Sequence, residues 1–318
     1  MKKEDIEERK KIIESGRTSI PPEMRNLMLE IDMNVRKLVS TVRFILKYKV
    51  IFRGRGIEFE GLREYSSTDD ASLIDWKVSR RVSTTKKVEN LYIRVYEEER
   101  DLSLFVLLDT SGTMVFGTGD KLKSEYASVL AGTLIYTAIE VGDKAGMGMF
   151  SDKLHKVLLP SKASDQYYRI LKELSKPTNY GGKCDLYNAI RIATAALDRK
   201  SILFIISDFI GVGYDWEDIL KGAAAKFDGV LGIMLLDVRD SFIPKDLGNF
   251  RMSDPLTGSV TEVDLDRYRE RYQIEAEAHE KKIESLFTQS HAGFIKCYTN
   301  ESFTKPLLKW FNMWSMGR

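Results

Sequence analysis

The feature that most limits the fold of this chain is a set of nearly continuous apolar runs separated by helical segments. LSLFVLL at 102–108, ILFIIS at 202–207 and VLGIMLL at 230–236 each have the length and composition of a strand buried on both faces. Helical patterns such as KLKSEYASVLAGTLIYTAIEVG lie between them. This alternation predicts an α/β fold with a doubly wound, mostly parallel six-stranded sheet over residues 101–318.

Residues 1–100 have a different pattern and are predicted to form a smaller N-terminal α+β subdomain. Residues 1–16 and the stretch that follows Pro21-Pro22 have the apolar spacing of helices, whereas the segments around Ile57 and at 90–99 alternate as strands do. In the larger domain, residues 246–263 interrupt the alternation of strands and helices. They are predicted to form a hairpin over the turn PLTG.

Composition excludes several classes of protein. The formal net charge of +2 gives no overall attraction to nucleic acid or to an acidic membrane. No apolar run approaches the roughly 20 residues of a membrane span, and the first residues lack the apolar core of a signal peptide. Cys184 and Cys297 are too few for a disulfide framework, so a cytoplasmic location is expected. The basic stretch at 77–87 lacks interleaved aromatic residues and is predicted to be a solvated loop.

Polar residues follow two of the buried strands directly. Asp109, Ser111 and Thr113 come after the first strand in an Asp-x-Ser-x-Thr pattern, and Asp208 follows a later one. In an open α/β sheet, ligands bind at the carboxyl ends of the strands, and carboxylate and hydroxyl oxygens are the ligands that Mg²⁺ prefers. The same aspartates could instead cap the helices that follow. The spacing alone leaves both interpretations open.

Two segments of the chain resemble known protein families. DTSGTM and SDF, each after a buried strand, resemble the metal-ion-dependent adhesion site of von Willebrand factor type A domains. Residues 56–81 resemble the signature that precedes such a domain in the domain-of-unknown-function 58 family. The matching residues are Glu58, Phe59, Arg63, Tyr65, Asp69, Asp70, Ile74, Asp75, Trp76 and Arg80. The resemblance, which covers roughly residues 35–315, implies a von Willebrand factor type A-like domain that binds a protein and is not an enzyme.

The resemblance also implies a metal ion, Mg²⁺ with Mn²⁺ as the alternative. Its ligands would be Asp109, Ser111, Thr113 and Asp208. A third loop usually contributes a threonine just before an Asp-Leu pair, but here the loop reads GGKCDL and Cys184 takes that position. A thiol is a soft ligand and suits Mg²⁺ poorly. Asp185 could be the ligand from this loop instead, or the site could be empty.

The family context implies a partner. Many members are encoded beside MoxR-type AAA+ ATPases and are thought to act with them in maturing or remodelling protein complexes. The expected partner is therefore such an ATPase or its substrate. A metal-independent scaffold and a metal-dependent hydrolase stay open as alternatives. The hydrolase would need a general base near the metal, and none of His155, His279 and His291 adjoins the candidate ligands in the sequence.

Three acidic residues of the signature could form a second acidic site. We expect Asp69, Asp70 and Asp75 to hold a turn instead, to accept backbone hydrogen bonds and to pair with Arg63 or Arg80.

Two further features have structural interpretations. Trp76 is expected to be buried, as tryptophans usually are. FGTGDK at 116–121 has glycines near a lysine but lacks the G-x-x-x-x-G-K-[ST] spacing of a phosphate-binding loop. It is predicted to be a turn that opens a helix.

Overall fold

The computed structural model describes residues 26–36, 59–66, 69–86, 91–96, 102–119, 121–213, 215–254 and 259–316. The chain divides into two compact units, Lys47–Arg100 and a larger unit made of Met1–Leu46 with Asp101–Arg318. The helices and strands are, in chain order, α1 (26–36), β1 (Phe59–Glu64), α2 (Trp76–Lys86), β2 (Tyr92–Tyr96), β3 (Ser103–Asp109), α3 (Lys123–Val141), β4 (Lys144–Phe150), β5 (Leu154–Ser161), α4 (Gln166–Leu174), α5 (Leu186–Ala196), β6 (Ser201–Ser207), α6 (Glu217–Lys226), β7 (Gly229–Leu236), α7 (Val238–Ser241), β8 (Asn249–Ser253), β9 (Val260–Asp264), α8 (Leu265–Gln289), β10 (Gly293–Tyr298) and α9 (Thr304–Met316).

The larger unit is built on a six-stranded sheet with the strand order β10-β7-β6-β3-β4-β5. Its neighbouring strands are parallel except for β4 and β5, which run antiparallel. β3 lies in the middle of the sheet and pairs with both β4 and β6, so all of its residues are buried. This burial explains the unbroken apolar run of the sequence.

Helices cover both faces of this sheet. Leu104, Val106 and Leu108 of β3 belong to one buried cluster, which they share with residues of α1, α3, α4 and α9. Phe105 and Leu107 point the other way, into a cluster with residues of α5, α6 and α8. Alternate residues of a strand face opposite sides of its sheet, so β3 supplies both cores. The predicted α/β fold class, doubly wound around a mostly parallel six-stranded sheet, is confirmed.

The helix α1 belongs to the larger unit. Its residues Met28, Ile31 and Val35 are buried in the cluster that α3 and α4 also enter. Asp32 accepts a hydrogen bond from the Tyr167 hydroxyl of α4 at 3.1 Å. α1 therefore groups with the larger unit, whereas residues 1–100 were predicted to form one N-terminal subdomain; the predicted division after residue 100 coincides with the end of the smaller unit. An amphipathic helix needs an apolar surface to cover, and α1 finds it on the larger unit, which leaves Lys47–Arg100 as the separate one.

The smaller unit pairs β1 with β2 in antiparallel register and carries α2. Arg63 donates a hydrogen bond to Asp69 at 2.7 Å, which confirms the predicted ion pair of the signature. Asp70 accepts the backbone N–H of Ser72 at 2.9 Å and caps a short 3₁₀ turn. Asp75 accepts two backbone N–H groups at the start of α2. These carboxylates thus have the structural role expected of them.

Two predictions for this unit were wrong. The basic stretch at 77–87 was expected to be a loop, but α2 covers Trp76–Lys86. Trp76 was expected to be buried, yet 65% of it is exposed. Among the residues of this helix whose burial is described, Ser79 is buried, and its hydroxyl accepts the backbone N–H of Tyr92 at 2.8 Å. A small polar residue that accepts a backbone hydrogen bond therefore faces the interior here. The prediction relied on the size of the tryptophan and was wrong.

The segment predicted as a hairpin contains β8 and β9, which pair antiparallel. The PLTG turn between them, the helix predicted over residues 1–16, Ile57 and the signature residue Glu58 lie outside the described residues. In the part of the chain that the structure describes, no helix is long and apolar enough to cross a membrane.

Candidate functional site

The candidate site lies where β3 and β6 end side by side. Because these neighbouring strands are parallel, their carboxyl ends meet at the same edge of the sheet. Asp109 is the last residue of β3, and Asp208 directly follows β6. Both carboxylates are fully buried. The backbone topology therefore brings these two side chains to the same edge of the sheet, as predicted.

Asp109 accepts hydrogen bonds from neutral groups. The Ser111 N–H donates to its Oδ1 at 2.8 Å, and the Ser207 hydroxyl donates to its Oδ2 at 2.6 Å. The Cys184 thiol donates to the same Oδ2 at 3.3 Å. No cationic side chain contacts Asp109 among the residues whose positions are described. Buried charges are usually paired with an opposite charge. The neutral donors around Asp109 do not neutralise the negative charge of its carboxylate.

The two hydroxyl residues of the first loop connect the two strand ends. Thr113 donates to Asp208 Oδ1 at 3.2 Å, and its Oγ1 lies 3.1 Å from the Ser111 hydroxyl. Ser111 is fully buried and Thr113 nearly so. Asp109, Ser111, Thr113 and Asp208 thus form one cluster of oxygen atoms.

The third loop reaches the cluster through two glycines. Gly181 and Gly182 have φ angles of 128° and 85°, which residues with a side chain rarely adopt. Their backbones are tied to the first loop, since the Gly181 N–H donates to the Thr110 carbonyl at 2.7 Å and the Gly112 N–H to the Gly182 carbonyl at 2.9 Å. This backbone pairing places Cys184 beside Asp109.

Asp185, the other residue predicted from this loop, has a different role. Its carboxylate accepts the backbone N–H of Asn188 at 3.1 Å and the Asn188 side-chain amide at 2.7 Å. It therefore caps the N-terminus of α5. The structure brings five of the six predicted residues together and leaves Asp185 as a helix cap.

A buried lysine that the sequence analysis missed lies in the same cluster. Only 1% of Lys123 is exposed, and its ammonium contacts Asp208 Oδ2 and Asp240 Oδ2, each at 2.8 Å. Lys123 is the first residue of α3, on the buried stripe that continues through Ala127 and Leu130. A lysine at helical spacing on an apolar stripe is the signal that could have revealed it, because buried lysines need an ionic partner.

The electrostatics of the cluster follow from its burial. Burial, and then repulsion from Asp208, raises the pKa of Asp109 to about 6. Burial also raises the pKa of Asp240. Burial, and then the nearby charge of Asp109, raises the pKa of the Cys184 thiol, which is therefore protonated at neutral pH. Burial alone would lower the pKa of Lys123, but Asp208 and Asp240 raise it overall. Asp208 and Asp240 thus share one ammonium, and among the described residues Asp109 has only neutral hydrogen-bond donors.

A strained backbone holds Asp208 in place. Phe209, the next residue, has a φ angle of 55°, in the left-handed region that is unfavourable for residues with a side chain. Its buried ring stacks on Trp216 and contacts Phe287 edge to face. Such strain costs about 1–3 kcal/mol and is found most often at functional sites. The packing of Phe209 therefore fixes the turn that aims Asp208 at the cluster.

These oxygen atoms fit a hard divalent cation. No group of three or more His, Cys, Asp or Glu side chains in the described ranges is arranged to hold a metal, so hydroxyl oxygens would have to complete the shell. Asp109, Asp208, Ser111 and Thr113 supply two carboxylates and two hydroxyls, which suit Mg²⁺. The unneutralised charge of Asp109 favours a cation as well. Lys123 already occupies one oxygen of Asp208, and Cys184 offers a protonated sulfur where an oxygen would suit the ion better.

Two histidines lie near this site: His279, which hydrogen-bonds the backbone of Phe209 and interacts electrostatically with Asp208, and His155. Its Nε2 lies 3.0 Å from the Thr110 hydroxyl, which itself donates to the Phe150 carbonyl. Within the described residues His155 makes no hydrogen bond to Asp109 or Asp208. His155 is therefore not in the position of a general base on these carboxylates, whereas His279 hydrogen-bonds the residue that follows Asp208.

The strand order and the carboxylates at the carboxyl edge define a von Willebrand factor type A-like α/β domain, with one antiparallel strand, β5, at the edge of the sheet. The chain belongs to the family described as "Protein of unknown function DUF58", whose model matches residues 61–282. It is 24% identical over 299 residues to the uncharacterized protein Rv1480 of Mycobacterium tuberculosis, covering 89% of this chain and 91% of that protein.

Solved structures give more distant likenesses. An aerotolerance-related membrane protein from Bacteroides fragilis matches 68% of this chain and all of its own, with 16% identity and a TM-score of 0.48. BatB from Bacteroides thetaiotaomicron matches 68% of this chain and 99% of its own, with 17% identity and a TM-score of 0.45.

Proposed function

We propose that this chain is a protein-binding module whose site at the ends of β3 and β6 holds Mg²⁺ or Mn²⁺ and receives a carboxylate from its partner. The observation that carries the proposal is the cluster of Asp109, Ser111, Thr113 and Asp208, buried together with an excess of negative charge. Asp109, Asp208 and the two hydroxyls would hold the ion. The bound ion would supply an electrophilic centre for an incoming carboxylate, since Mg²⁺ is usually bound by only a few protein ligands.

The surface next to this cluster suits a partner. Val115 and Phe116, which continue the loop of Thr113, are 47% and 40% exposed. Exposed apolar residues beside a polar anchor are common where proteins bind each other. They would add apolar contact around a carboxylate that the metal holds.

The partner that we propose is a MoxR-type AAA+ ATPase, or the substrate that such an ATPase remodels. This choice rests on the family resemblance alone, because the descriptions of the family and of Rv1480 do not mention an ATPase. The expected cytoplasmic location stays a prediction as well.

The proposal predicts binding that needs both the metal and the hydroxyl of Thr113. We expect the MoxR-type ATPase of the same organism to bind the immobilised chain in Mg²⁺ and to dissociate in EDTA. Thr113→Val keeps the shape of the side chain and removes one oxygen from the cluster, so it should weaken Mg²⁺-dependent binding at least about tenfold. Biolayer interferometry of both proteins with and without Mg²⁺ measures this. Asp208 is a poorer choice for the test because its carboxylate neutralises the buried Lys123.

Thr137→Val is the matched control. Thr137 is a buried threonine of α3 whose hydroxyl donates to the Thr133 carbonyl, one helical turn away. This variant should bind the ATPase as the wild type does. Binding that survives both EDTA and Thr113→Val would remove the metal from the mechanism. A protein that binds Mg²⁺ but not the ATPase would show that the partner is wrong.

A metal-independent scaffold is the second candidate, and Lys123 is the observation that favours it. Its ammonium already neutralises much of the charge of Asp208 from inside the protein. In this case the cluster would order the loops at the sheet edge, and the partner would bind equally well in Mg²⁺ and in EDTA. The comparison of the two conditions therefore separates the candidates.

Cys184 gives a prediction about metal affinity. Its thiol points at Asp109, and a threonine at this position would present a hydroxyl oxygen there. Because Mg²⁺ prefers oxygen to sulfur, we expect Cys184→Thr to bind Mg²⁺ several-fold more tightly than the wild type in calorimetry. Cys184→Val is the control, since valine has the shape of threonine without the oxygen. Equal affinities of the threonine and valine variants would show that this loop does not contribute a ligand.

A further inference from the structure

A second site lies at the same edge of the sheet, beyond β7 and β10. The residues that follow these two strands and the loop before α3 border an open cavity of about 540 Å³. It is lined by Thr118, Gly119, Lys121, Asp237, Val238, Arg239, Thr299 and Asn300. None of these residues is a candidate metal ligand. The cavity has the size of a small-molecule site, which typically measures about 300–1,000 Å³.

Two cations face this cavity without an ionic partner in the described part of the chain. Lys121 is half-buried and Arg239 is exposed, and neither forms an ion pair or a side-chain hydrogen bond with a described residue. Asn300 likewise makes no side-chain hydrogen bond there. Other cations of the larger unit, such as Lys176 and Lys221, pair with a nearby glutamate. The cavity therefore presents an ammonium, a guanidinium and an amide, each of which has N–H groups that can donate.

Among the described residues of the lining there is one carboxylate, that of Asp237, and it is already satisfied. Asp237 is only 1% exposed and accepts hydrogen bonds from the Thr118 N–H and hydroxyl, the Arg239 N–H and the Thr299 hydroxyl. These bonds join the loop before α3 to the ends of β7 and β10. Asp237 thus holds the walls of the cavity together, and among the lining residues that the structure describes two cations stand against its single negative charge.

We propose that this cavity binds a phosphate-bearing polar small molecule, with its phosphate between Lys121 and Arg239. Arginine and lysine together form charge-assisted hydrogen bonds with phosphate oxygens. The body of the ligand is polar, because among the described lining residues Val238 is the only apolar side chain and none has an aromatic ring to stack on a base. The cavity is also far larger than one acidic side chain, which favours a small molecule over the carboxylate of a partner protein.

The sequence explains why the loop can take this shape. A Cβ atom at Gly117 would lie 2.5 Å from the carbonyl oxygen of Lys121, so only glycine allows the loop to fold back on itself. This close approach presents Lys121 to the cavity just before α3 begins. The FGTGDK segment lacks the backbone cradle of a phosphate-binding loop, and it contributes through the side chain of its lysine instead.

Calorimetry with inorganic phosphate, pyrophosphate and ribose 5-phosphate tests the proposal. The titrations are done in EDTA and at low ionic strength, so that the candidate metal site takes no part and charges are not screened. We expect ribose 5-phosphate to bind and unphosphorylated ribose not to bind. Lys121→Met and Arg239→Gln should each weaken binding about tenfold or more, as expected when a hydrogen bond to a charged group is lost. Asp109→Asn should leave it unchanged.

Lys144→Met is the control for general charge. Lys144 is exposed at the start of β4, at the opposite end of the sheet. Its loss should not alter the affinity for ribose 5-phosphate. Failure of all three phosphate probes to bind at millimolar concentration would overturn the proposal, as would equal weakening by Lys144→Met. Binding of an acidic peptide that depends on Lys121, without phosphate binding, would overturn it in favour of a protein ligand.

Discussion

Lys123→Met should lower the stability of this protein by about 3–5 kcal/mol, the usual cost of removing one partner from a buried ion pair. Methionine fills a similar volume, but it leaves the carboxylates of Asp208 and Asp240 buried without their shared ammonium. In a domain of this size the melting temperature should fall by about 10 °C. Thermal unfolding followed by circular dichroism, in EDTA and at neutral pH, measures the effect.

Lys281→Met is the matched control for this prediction. Lys281 is 74% exposed and pairs with Glu277, which is 68% exposed. Surface pairs of this kind contribute about 0–1 kcal/mol, so the control should melt close to the wild type. The double variant Lys123→Met/Asp208→Asn should recover part of the loss, because it removes a charge that the single variant leaves unpaired. A melting temperature of Lys123→Met equal to that of the wild type would contradict the buried pairing.

The contrast between Asp208 and Lys123 shows what a sequence can reveal about this site. Asp109 and Asp208 each follow a buried strand, and parallel neighbours end at the same edge of a sheet, so local pattern and topology together predict that they meet. Lys123 pairs with residues 85 and 117 positions away. No local pattern encodes such distant pairings, which depend on how the loops after β6 and β7 close over the first turn of α3.

The two errors in the signature region and at the N-terminus have a common physical origin. Trp76 and α1 were both judged by their own composition, but burial depends on the surface that the fold offers. The apolar stripe of α1 is buried in one cluster with residues of α3 and α4, which lie far from α1 along the chain. In α2, Ser79 is buried and its hydroxyl accepts the Tyr92 backbone N–H, whereas Trp76 is exposed. Buried backbone groups must be satisfied, so a small polar residue can take a buried position that size and hydrophobicity alone do not predict.

Asp109→Asn should stabilise the metal-free protein at neutral pH and abolish its response to Mg²⁺. Burial and repulsion from Asp208 raise the pKa of Asp109 to about 6, against an ordinary value of 3.8. A carboxyl whose pKa is raised by folding stabilises the folded state below its ordinary pKa. This contribution, up to about 3 kcal/mol, is lost as the pH rises from about 4 to about 6. Asparagine does not titrate, so the variant escapes the loss.

The test compares melting temperatures of the wild type, Asp109→Asn and Asp198→Asn, in EDTA and in Mg²⁺. Asp198 is exposed and lies just beyond the C-terminal end of α5. Its variant should therefore have the melting temperature of the wild type in both buffers. Mg²⁺ should raise the melting temperature of the wild type, since a ligand that binds only the folded state stabilises it. Asp109→Asn should melt higher than the wild type in EDTA and gain nothing from Mg²⁺. A lower melting temperature in EDTA would show that the buried carboxylate is stabilising. A Mg²⁺ response equal to that of the wild type would show that Asp109 is not a ligand, and the proposed metal site would then be wrong.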